Sequence, residues 1–364
     1  MEIITHKCPN CGGALTFDPS DQKFHCPYCL SVFTEQEVSD FEAKQKEATL
    51  QDESAPLTSE TAQTKATSPP EEALDLFLCP SCGAEIATDA TTAATYCYFC
   101  HNPVVLSGRL SGQFLPNKVL PFKVEKEEAT KRFLEWTKKK WFVPKAFFNQ
   151  SQIEKLTGVY FPYWVVNAKG NGEITGKGTK IRVWRIGEIE YTETKQFDVR
   201  RRGKLSFKEL VKNALSKNMQ QKMVESVQPF QINQAITFKN QYLAGFQAEK
   251  RDIEYTALEP QIKKELDDYS QTLLSNSVSG YTTFSKNKGT IDLNHVEGEY
   301  MLLPVWLVTY KNKAQSDRVF YYAMNGQTGK VSGVLPISYQ RLGLVSGGIF
   351  LAFALLFMLG GYFL

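Results

Sequence analysis

The sequence lacks the pattern expected of a secretory leader, a cysteine outside a Cys-x-x-Cys pair, and a large net charge. Its first residues, MEIITHKCPN, contain no basic stretch followed by an apolar one, which argues against a signal peptide. The formal net charge of +3 over 364 residues favours neither a nucleic-acid-binding protein nor an enzyme for acidic substrates. Paired cysteines without a leader are more often metal ligands in a reducing compartment than disulfides. We therefore expect the N-terminal part to be cytoplasmic.

Catalytic motifs are also missing. The stretch 170–179 is rich in glycine, but five residues separate Gly170, and three separate Gly172, from Gly176-Lys177, whereas a phosphate loop has four. Gly178 also occupies the position where that loop requires Ser or Thr. This excludes a phosphate loop and predicts a glycine-rich β-turn region. There is no nucleophile elbow, His-Glu-x-x-His motif or dinucleotide fingerprint. His295 is expected to be a strand residue rather than a base, so we expect no enzymatic activity.

The eight cysteines form two copies of one pattern. The copies are 71 positions apart, and in each copy fourteen residues separate the two pairs: Cys8, Cys11, Cys26 and Cys29, then Cys79, Cys82, Cys97 and Cys100. A Cys-x-x-Cys turn directs two thiolates to one point, and two such turns complete a tetrahedral Zn²⁺ site with no open position for substrate. We expect two structural zinc ribbons, at residues 1–35 and 76–108, with one Zn²⁺ each. A redox pair or disulfides are the alternatives, and His6, His25 and His101 are expected to be bystanders.

A helical stretch near 34–50 and a flexible tether are expected within residues 36–75. Ser, Thr, Ala, Gln, Glu and Pro dominate this segment, and no aromatic residue occurs between Phe41 and Phe77. Such a tether would let the two ribbons take up independent positions.

Residues 113–338 predict an α+β domain, because aromatic-rich strand runs alternate with helical stretches. Helices are expected at 125–140, at 206–227 after the capping box of Ser206 and Glu209, and at 260–276. Residues 287–289 predict a turn, and Asn325-Gly326 predicts a hairpin.

An internal duplication of this domain is a further hypothesis. The segment Pro162-Tyr-Trp164-Val-Val166 resembles Pro304-Val-Trp306-Leu-Val308, and each follows an expected helix. The domain would then be two copies of a helix-plus-sheet unit.

The last 23 residues, 342–364, carry no charge. As a helix they span roughly 34 Å, enough for a bilayer core of about 30 Å. Five basic residues and one acidic residue between Lys311 and Arg341 keep the preceding part cytoplasmic by the positive-inside rule. We therefore expect a single-pass protein of the cell membrane. Gly343 and Gly347 form a small-xxx-small pair that would support a homo-oligomer.

Two basic clusters, at 136–142 and 200–204, are interleaved with or flanked by aromatic residues. Three interpretations stay open. The lysines complement a helix C-terminus while the aromatics pack in the core, or the clusters bind anionic lipid, or they bind nucleic acid.

Together these motifs resemble a group of bacterial membrane proteins with TFIIB-type zinc ribbons, in a double-ribbon form with a C-terminal anchor. The likeness rests on the ribbons, Tyr160-Phe-Pro-Tyr-Trp-Val-Val, Pro304-Val-Trp-Leu-Val and the anchor. Members are often labelled as relatives of a primosomal replication helicase, an activity that a chain without a phosphate loop does not support. The resemblance implies a membrane protein acting with flotillin-like (SPFH) or phage-shock-protein-A-like proteins in envelope stress.

The leading hypothesis is a non-enzymatic scaffold that docks cytoplasmic partner proteins at the membrane through its zinc ribbons. The alternative is a membrane-tethered nucleic-acid-binding protein for replication or transcription, whose ribbons and basic clusters contact phosphates.

Overall fold

The computed structural model describes residues 3–52, 74–97, 100–144, 155–216, 225–311 and 319–362. The chain divides into two compact units. Unit 1 comprises Met1–Phe161, Lys217–Lys250 and Leu302–Leu364, and unit 2 comprises Pro162–Ser216 and Arg251–Met301. Residues of the expected α+β domain, 113–338, therefore occur in both units.

The described residues form four α-helices and a large mixed set of strands. The helices are α1 (Glu35–Asp52), α2 (Lys126–Lys138), α3 (Tyr255–Asn276) and α4 (Tyr339–Tyr362). The strands are β1 (Ile3–Ile4), β2 (Thr16–Asp18), β3 (Lys23–His25), β4 (Val32–Phe33), β5 (Leu74–Leu78), β6 (Glu85–Asp89), β7 (Thr92–Tyr96), β8 (Pro103–Leu106), β9 (Lys118–Val119), β10 (Thr157–Ile186), β11 (Ile189–Asn213), β12 (Ile236–Thr237), β13 (Gln247–Glu249), β14 (Thr283–Lys311), β15 (Val319–Asn325) and β16 (Val331–Val334).

Unit 1 contains both cysteine regions, and they are joined by backbone and side-chain contacts. Strand β1 precedes the first cysteine pair and pairs antiparallel with β8, which follows the last pair, so that Ile3 lies opposite Leu106. The Tyr28 hydroxyl of the first region donates to Asn102 Oδ1 of the second at 3.1 Å. The expectation of independently positioned ribbons is therefore wrong, because a sheet ladder fixes one against the other. The expected tether falls mainly on residues 53–73, which lie outside the described residues.

An aromatic core holds the rest of unit 1 together. Phe122 stacks on Phe246 with ring centroids 4.3 Å apart, and Tyr160 and Trp306 meet Phe122 edge-on. Such ring pairs add about 0.5–1.5 kcal/mol each beyond the area they bury. The expected helix at 125–140 is confirmed as α2, and its Phe133 packs on Tyr322 of β15 at 4.8 Å.

Unit 2 is built from the long hairpin of β10 and β11, the first part of β14, and α3. Helix α3 packs on the sheet through two hydrophobic clusters, one around Ala168 and Leu266 and one around Ile174 and Leu274. Every second residue of β10 from Ala168 to Gly178 is buried. This alternation is that of a strand with one covered face.

The glycine-rich stretch 170–179 is therefore not a turn region but the middle of β10, which corrects the prediction. A side chain at Gly172 would collide with Leu274 of α3, and one at Gly176 would collide with the backbone oxygen of Ser285. The glycines serve close approach to a helix and a neighbouring strand rather than chain reversal.

The helix expected at 206–227 is wrong for its described first part, because β11 continues to Asn213 in register with β10. Instead of closing a capping box, Glu209 takes a left-handed conformation (φ 59°), and its amide donates to Asn167 Oδ1 at 3.0 Å. The register of the two strands shifts between Val166 and Ala168, opposite this position. The free energy of the long β-ladder between β10 and β11 outweighs that of one helix cap, which contributes only about 1 kcal/mol.

Three smaller predictions have mixed outcomes. Helix α3 includes the expected range 260–276 but begins at Tyr255, so that Pro260 lies inside it. The expected turn at 287–289 is wrong, because these residues continue β14. The hairpin after Asn325 is confirmed between β15 and β16, but its left-handed residue is Gly329 (φ 69°) rather than Gly326.

Each unit contains a buried tryptophan that binds the start of a helix. In unit 2, Trp164 Nε1 donates to the carbonyl of Ile253 at 3.0 Å, one residue before the N-cap of α3. In unit 1, Trp306 Nε1 donates to the carbonyl of Val124 at 2.9 Å, one residue before the N-cap of α2. Both N-cap residues are glutamates.

Candidate metal centres

Each Cys-x-x-Cys pair forms the same tight turn. The amide of the first cysteine donates a hydrogen bond to the carbonyl five residues later, as from Cys8 to Gly13 at 2.7 Å. The amide four residues on donates back to the carbonyl of the first cysteine, as from Gly12 to Cys8 at 2.9 Å. The turns at Cys26, Cys79 and Cys97 repeat both bonds. This backbone turns two thiols toward one point.

The residue after the second cysteine of each turn is left-handed. It is Gly12 and Gly83 in the first turns of the two regions, both with φ 73°. In the second turns it is Leu30 (φ 60°) and His101 (φ 57°). Glycine adopts this conformation without strain, whereas a leucine at φ > 0 is rare.

The turns bring the eight cysteines into the two expected groups of four. Within each group all four Sγ atoms lie within 4.8 Å of one another. The separations across the first group are 3.6 Å for Cys8 and Cys29 and 3.4 Å for Cys11 and Cys26. In the second group both separations, Cys79 to Cys100 and Cys82 to Cys97, are 3.7 Å. All eight cysteines are free of disulfides, so each cluster is positioned to bind a metal ion.

The first cluster is supported by Ser31. Hydrogen bonding with the Ser31 hydroxyl and then with its amide lowers the pKa of Cys29 to about 6. For Cys11 of the same group the Gly13 amide lowers the pKa, but hydrogen bonds with Cys26 and Cys29 raise it overall to about 12. The Ser31 hydroxyl also accepts from Asn10 Nδ2 at 2.9 Å, which orients it. A lowered pKa favours the thiolate, the form in which cysteine binds a metal.

The second cluster is supported by a small core and a buried arginine. Cys79 and Cys97 pack with Ile86, Val104 and Leu106. Arg109, 2% exposed, lies 4.8 Å from the centre of the Phe77 ring. It donates to Thr92 O at 2.6 Å and Thr88 Oγ1 at 3.2 Å, and also to Asp89 O and Asp75.

Comparisons with known proteins bear on the whole chain. The chain is 32% identical over 366 residues to the uncharacterized protein YdjG of Bacillus subtilis (strain 168), and the match covers 99% of this chain and 100% of that protein. The chain belongs to the YdjG family. No family model matches it. No solved structure matches it.

In this member of the YdjG family the flanking histidines lie outside the four-thiol groups. His6 is buried, and its Nδ1 lies 2.5 Å from Glu42 Oε1 of α1. His25 Nε2 lies 2.9 Å from Asp21 Oδ2. His295, which was expected to be a strand residue, is exposed on β14.

Sequence reasoning missed a third group of metal-ligand type, formed by Asp18, Asp21 and His25. These residues flank the turn between β2 and β3 and follow no motif spacing. Asp18 Oδ1 already accepts from the amide and hydroxyl of Ser20, at 2.8 and 2.7 Å, and so belongs to the turn.

The basic cluster at 200–204 is divided between the two faces of β11. Arg200 and Arg202 lie on one face and both bind Glu173, the second through Nε to Oε2 at 2.6 Å. Arg200 and then Arg202 hold the pKa of Glu173 below its usual value. Arg201 points to the other face and donates to Ser277 Oγ at 2.9 Å.

The described residues include one helix that is long and apolar enough to span a membrane, Tyr339–Met358 within α4. None of this span is buried. A Cβ atom at Gly343 or Gly347 would meet nothing within 4 Å, so the small face of the helix is uncovered in a single chain. Association of two chains through these glycines stays a prediction.

Proposed function

We propose that the protein is a non-enzymatic scaffold, anchored in the cell membrane by α4, whose zinc ribbons dock partner proteins on the cytoplasmic side. The observation that carries this proposal is Leu30. It is 82% exposed and sits in the left-handed position of a metal-binding turn, where two of the other three turns have glycine.

Leu30 is unfavourable in two ways. The left-handed conformation costs a residue with a Cβ roughly 1–2 kcal/mol, and the exposed leucine gains nothing from burial in the free chain. Strained residues that persist are a reason to infer function. Tyr28 (64% exposed) and Val32 (44% exposed) lie two positions before and after Leu30 in the sequence and are also exposed. We define Tyr28, Leu30 and Val32 as the apolar knuckle, which a partner protein would cover.

We infer that the metal in both clusters is zinc. Four ligands at about 2.3 Å in a tetrahedron place sulfur atoms about 3.8 Å apart. The observed Sγ–Sγ separations of 3.4–3.7 Å are close to this value. Soft thiolate ligands without an open position suit structural Zn²⁺, which would hold the turns and take no part in a reaction.

We also infer that the part of the chain after the ribbons arose by duplication. Trp164 and Trp306 occupy corresponding places in the two similar segments, and each binds a carbonyl one residue before a helix N-cap. Among the described helices, the one that precedes Trp164 in sequence is α2, but Trp164 binds the start of α3, and Trp306 binds the start of α2. Each tryptophan therefore binds the start of the other copy's helix, as expected if two copies of a helix-plus-sheet unit had exchanged their helices.

The partners we propose are flotillin-like (SPFH) and phage-shock-protein-A-like proteins, as the family resemblance implies. The experiment is affinity capture of the full chain from gently solubilised membranes, with wild type and Leu30→Gly. Leu30→Gly removes the apolar side chain and relieves backbone strain, so loss of binding would not arise from unfolding. We expect recovery of a partner to fall by about tenfold or more, the size of an interface hot spot.

Leu115→Ser is the matched control, because Leu115 is also an exposed leucine of unit 1 (51%) but lies outside the metal-binding turns. It should leave recovery unchanged. Equal recovery of both proposed partners by wild type and Leu30→Gly would refute docking through the apolar knuckle.

The alternative function, nucleic-acid binding, finds less support in the described residues. Arg200 and Arg202 share one carboxylate, Glu173, and Arg201 faces away from them. A gel-shift of the full chain in detergent across a salt series tests it. Binding that weakens steeply with salt would favour this alternative, and no binding at low salt would remove it.

A further inference from the structure

The segment after α2 is bound to the first turn of α4. The Ser338 amide donates to the carbonyl of Phe142 at 2.7 Å. One turn later, Arg341 Nη1 donates to the carbonyls of Val143 at 3.1 Å and Trp141 at 3.4 Å. Both elements belong to unit 1. These bonds place residues 138–143 beside the point where the apolar span begins, at Tyr339.

The surface carried by this segment is basic and aromatic. Lys138, Lys139 and Lys140 are consecutive and exposed, and Trp141 is 79% exposed. Tyr339, at the first position of the span, is 63% exposed. Tryptophan and tyrosine are enriched at the level of lipid headgroups, where one part of the ring is in an apolar and the other in a polar environment.

Packing in the core does not account for this segment. Helix α2 ends at Lys138, and Lys140 Nζ lies 5.7 Å from the centre of the Trp136 ring. Trp136 is the aromatic residue that packs inward, on Tyr322, whereas Trp141 does not. Among the described residues, Lys138 and Lys139 have no carboxylate within 4.0 Å, although the exposed Glu135 lies in the same last turn of α2.

We propose that Lys138, Lys139, Lys140, Trp141 and Arg341 form a binding surface for the headgroups of anionic phospholipids at the base of the anchor. The inference rests on α4 spanning the membrane, as in the proposed function. The lysines supply positive charge at the depth of the phosphates, and Trp141 inserts at the headgroup level. Arg341 fixes the segment to the helix, so this surface and the span enter the bilayer together.

The test uses the full chain reconstituted into bilayers of phosphatidylcholine and phosphatidylglycerol. Spin-labelled lipids report the association of each lipid with the protein relative to the other. We expect the wild type to prefer phosphatidylglycerol several-fold, and the triple variant K138Q/K139Q/K140Q to reduce the preference to near one. The control K169Q/K180Q/K208Q removes the same charge from exposed positions of unit 2, outside both basic clusters, and should keep the preference.

A second measurement follows Trp141 directly. Lipids brominated near the headgroup should quench part of the tryptophan emission, and W141F should lose that part, whereas W184F should keep it. The proposed lipid-binding surface would be refuted if the wild type entered bilayers without preferring the anionic lipid. It would also be refuted if the unit 2 control lost the preference as fully as the triple variant. If the chain did not float with the bilayers at all, the proposal that α4 is a membrane anchor would be refuted, and the proposed lipid-binding surface would be refuted with it.

Discussion

The two cysteine clusters share one backbone but differ in the side chain at the left-handed position of the second turn. In the first cluster this residue is Leu30, which is 82% exposed. In the second cluster it is His101, which lines a cavity of about 830 Å³ in unit 1. The hydrogen bonds of the turns are otherwise the same. The repeated backbone hydrogen bonds therefore determine the turn, while the side chain at its tip is free to take on another role.

The clusters also differ in their supports. The first leads into α1, whose N-terminus is closed by a capping box: the Thr34 amide donates to Glu37 Oε2 at 2.7 Å, and the Glu37 amide donates to Thr34 Oγ1 at 3.4 Å. The second leads into β8 and a 3-10 turn at Ser107–Leu110, and it is supported by Arg109 of that turn and by the core around Ile86. Each support should therefore affect one cluster more than the other.

The largest effect is expected from removing one buried ligand of each cluster, Cys26→Ser or Cys97→Ser. Each variant should lower zinc from about two to about one ion per chain, since four thiolates are needed for a closed site. Structural zinc contributes about 10–16 kcal/mol in finger peptides, so the free energy of unfolding should fall by several kcal/mol. Elemental analysis of the purified chain checks the count. Each variant is the control for the other, and loss of both ions from one substitution would contradict two separate sites.

Arg109→Met should destabilise the second cluster by about 3 kcal/mol, because buried carbonyl acceptors such as Thr92 O lose their donor. Chemical unfolding of the full chain in detergent measures this free energy. Arg132→Met is the control, because Arg132 is 39% exposed and its i,i+4 pair with Glu128 is worth only about 0.3–0.5 kcal/mol. Equal effects of the two substitutions would show that Arg109 does not support the cluster.

Exchanging the left-handed residues should produce changes of opposite sign. Gly83→Leu should cost about 1–2 kcal/mol, since a Cβ there meets no atom within 4 Å and the cost is backbone strain alone. Leu30→Gly should relieve that strain, offset in part by the greater entropy of glycine in the unfolded chain. Unfolding of both variants under one condition is the measurement. Destabilisation by Leu30→Gly equal to that of Gly83→Leu would mean that Leu30 is packed rather than strained.

The smallest effect is expected at the N-terminus of α1. Thr34→Ala should cost about 1 kcal/mol, because it removes the N-cap acceptor of the Glu37 amide. Ser206→Ala is the matched control, since Ser206 and Glu209 have the same spacing but lie in β11, and it should change the free energy of unfolding by less than about 0.5 kcal/mol. If Ser206→Ala were as costly as Thr34→Ala, the strand would not explain the failed helix prediction.

Several features could be predicted because their causes are local. A Cys-x-x-Cys turn closes through bonds between residues four and five apart, so the sequence indicates it without the rest of the fold. The same holds for α2 and for the apolar span of α4, which depend on periodicity and on an uncharged run. The hairpin after Asn325 also follows from nearby turn residues.

The wrong predictions share one cause, which is pairing between residues distant in sequence. The glycines of β10 resemble a turn until Leu274 and Ser285 are seen to approach them. The ribbons resemble independent modules until β1 is found paired with β8, about a hundred residues away in the sequence. Neither partner can be identified from the local pattern.

Local sequence was therefore sufficient to predict two four-cysteine clusters, the helices α2 and α4, and the absence of a phosphate loop, because each depends on neighbours along the chain. Only the tertiary structure shows that the two clusters are joined, that Leu30 remains exposed, and that Lys138 to Trp141 lie beside the start of α4. These arrangements come from ladders and hydrogen bonds between distant segments, whose free energy outweighs local preference.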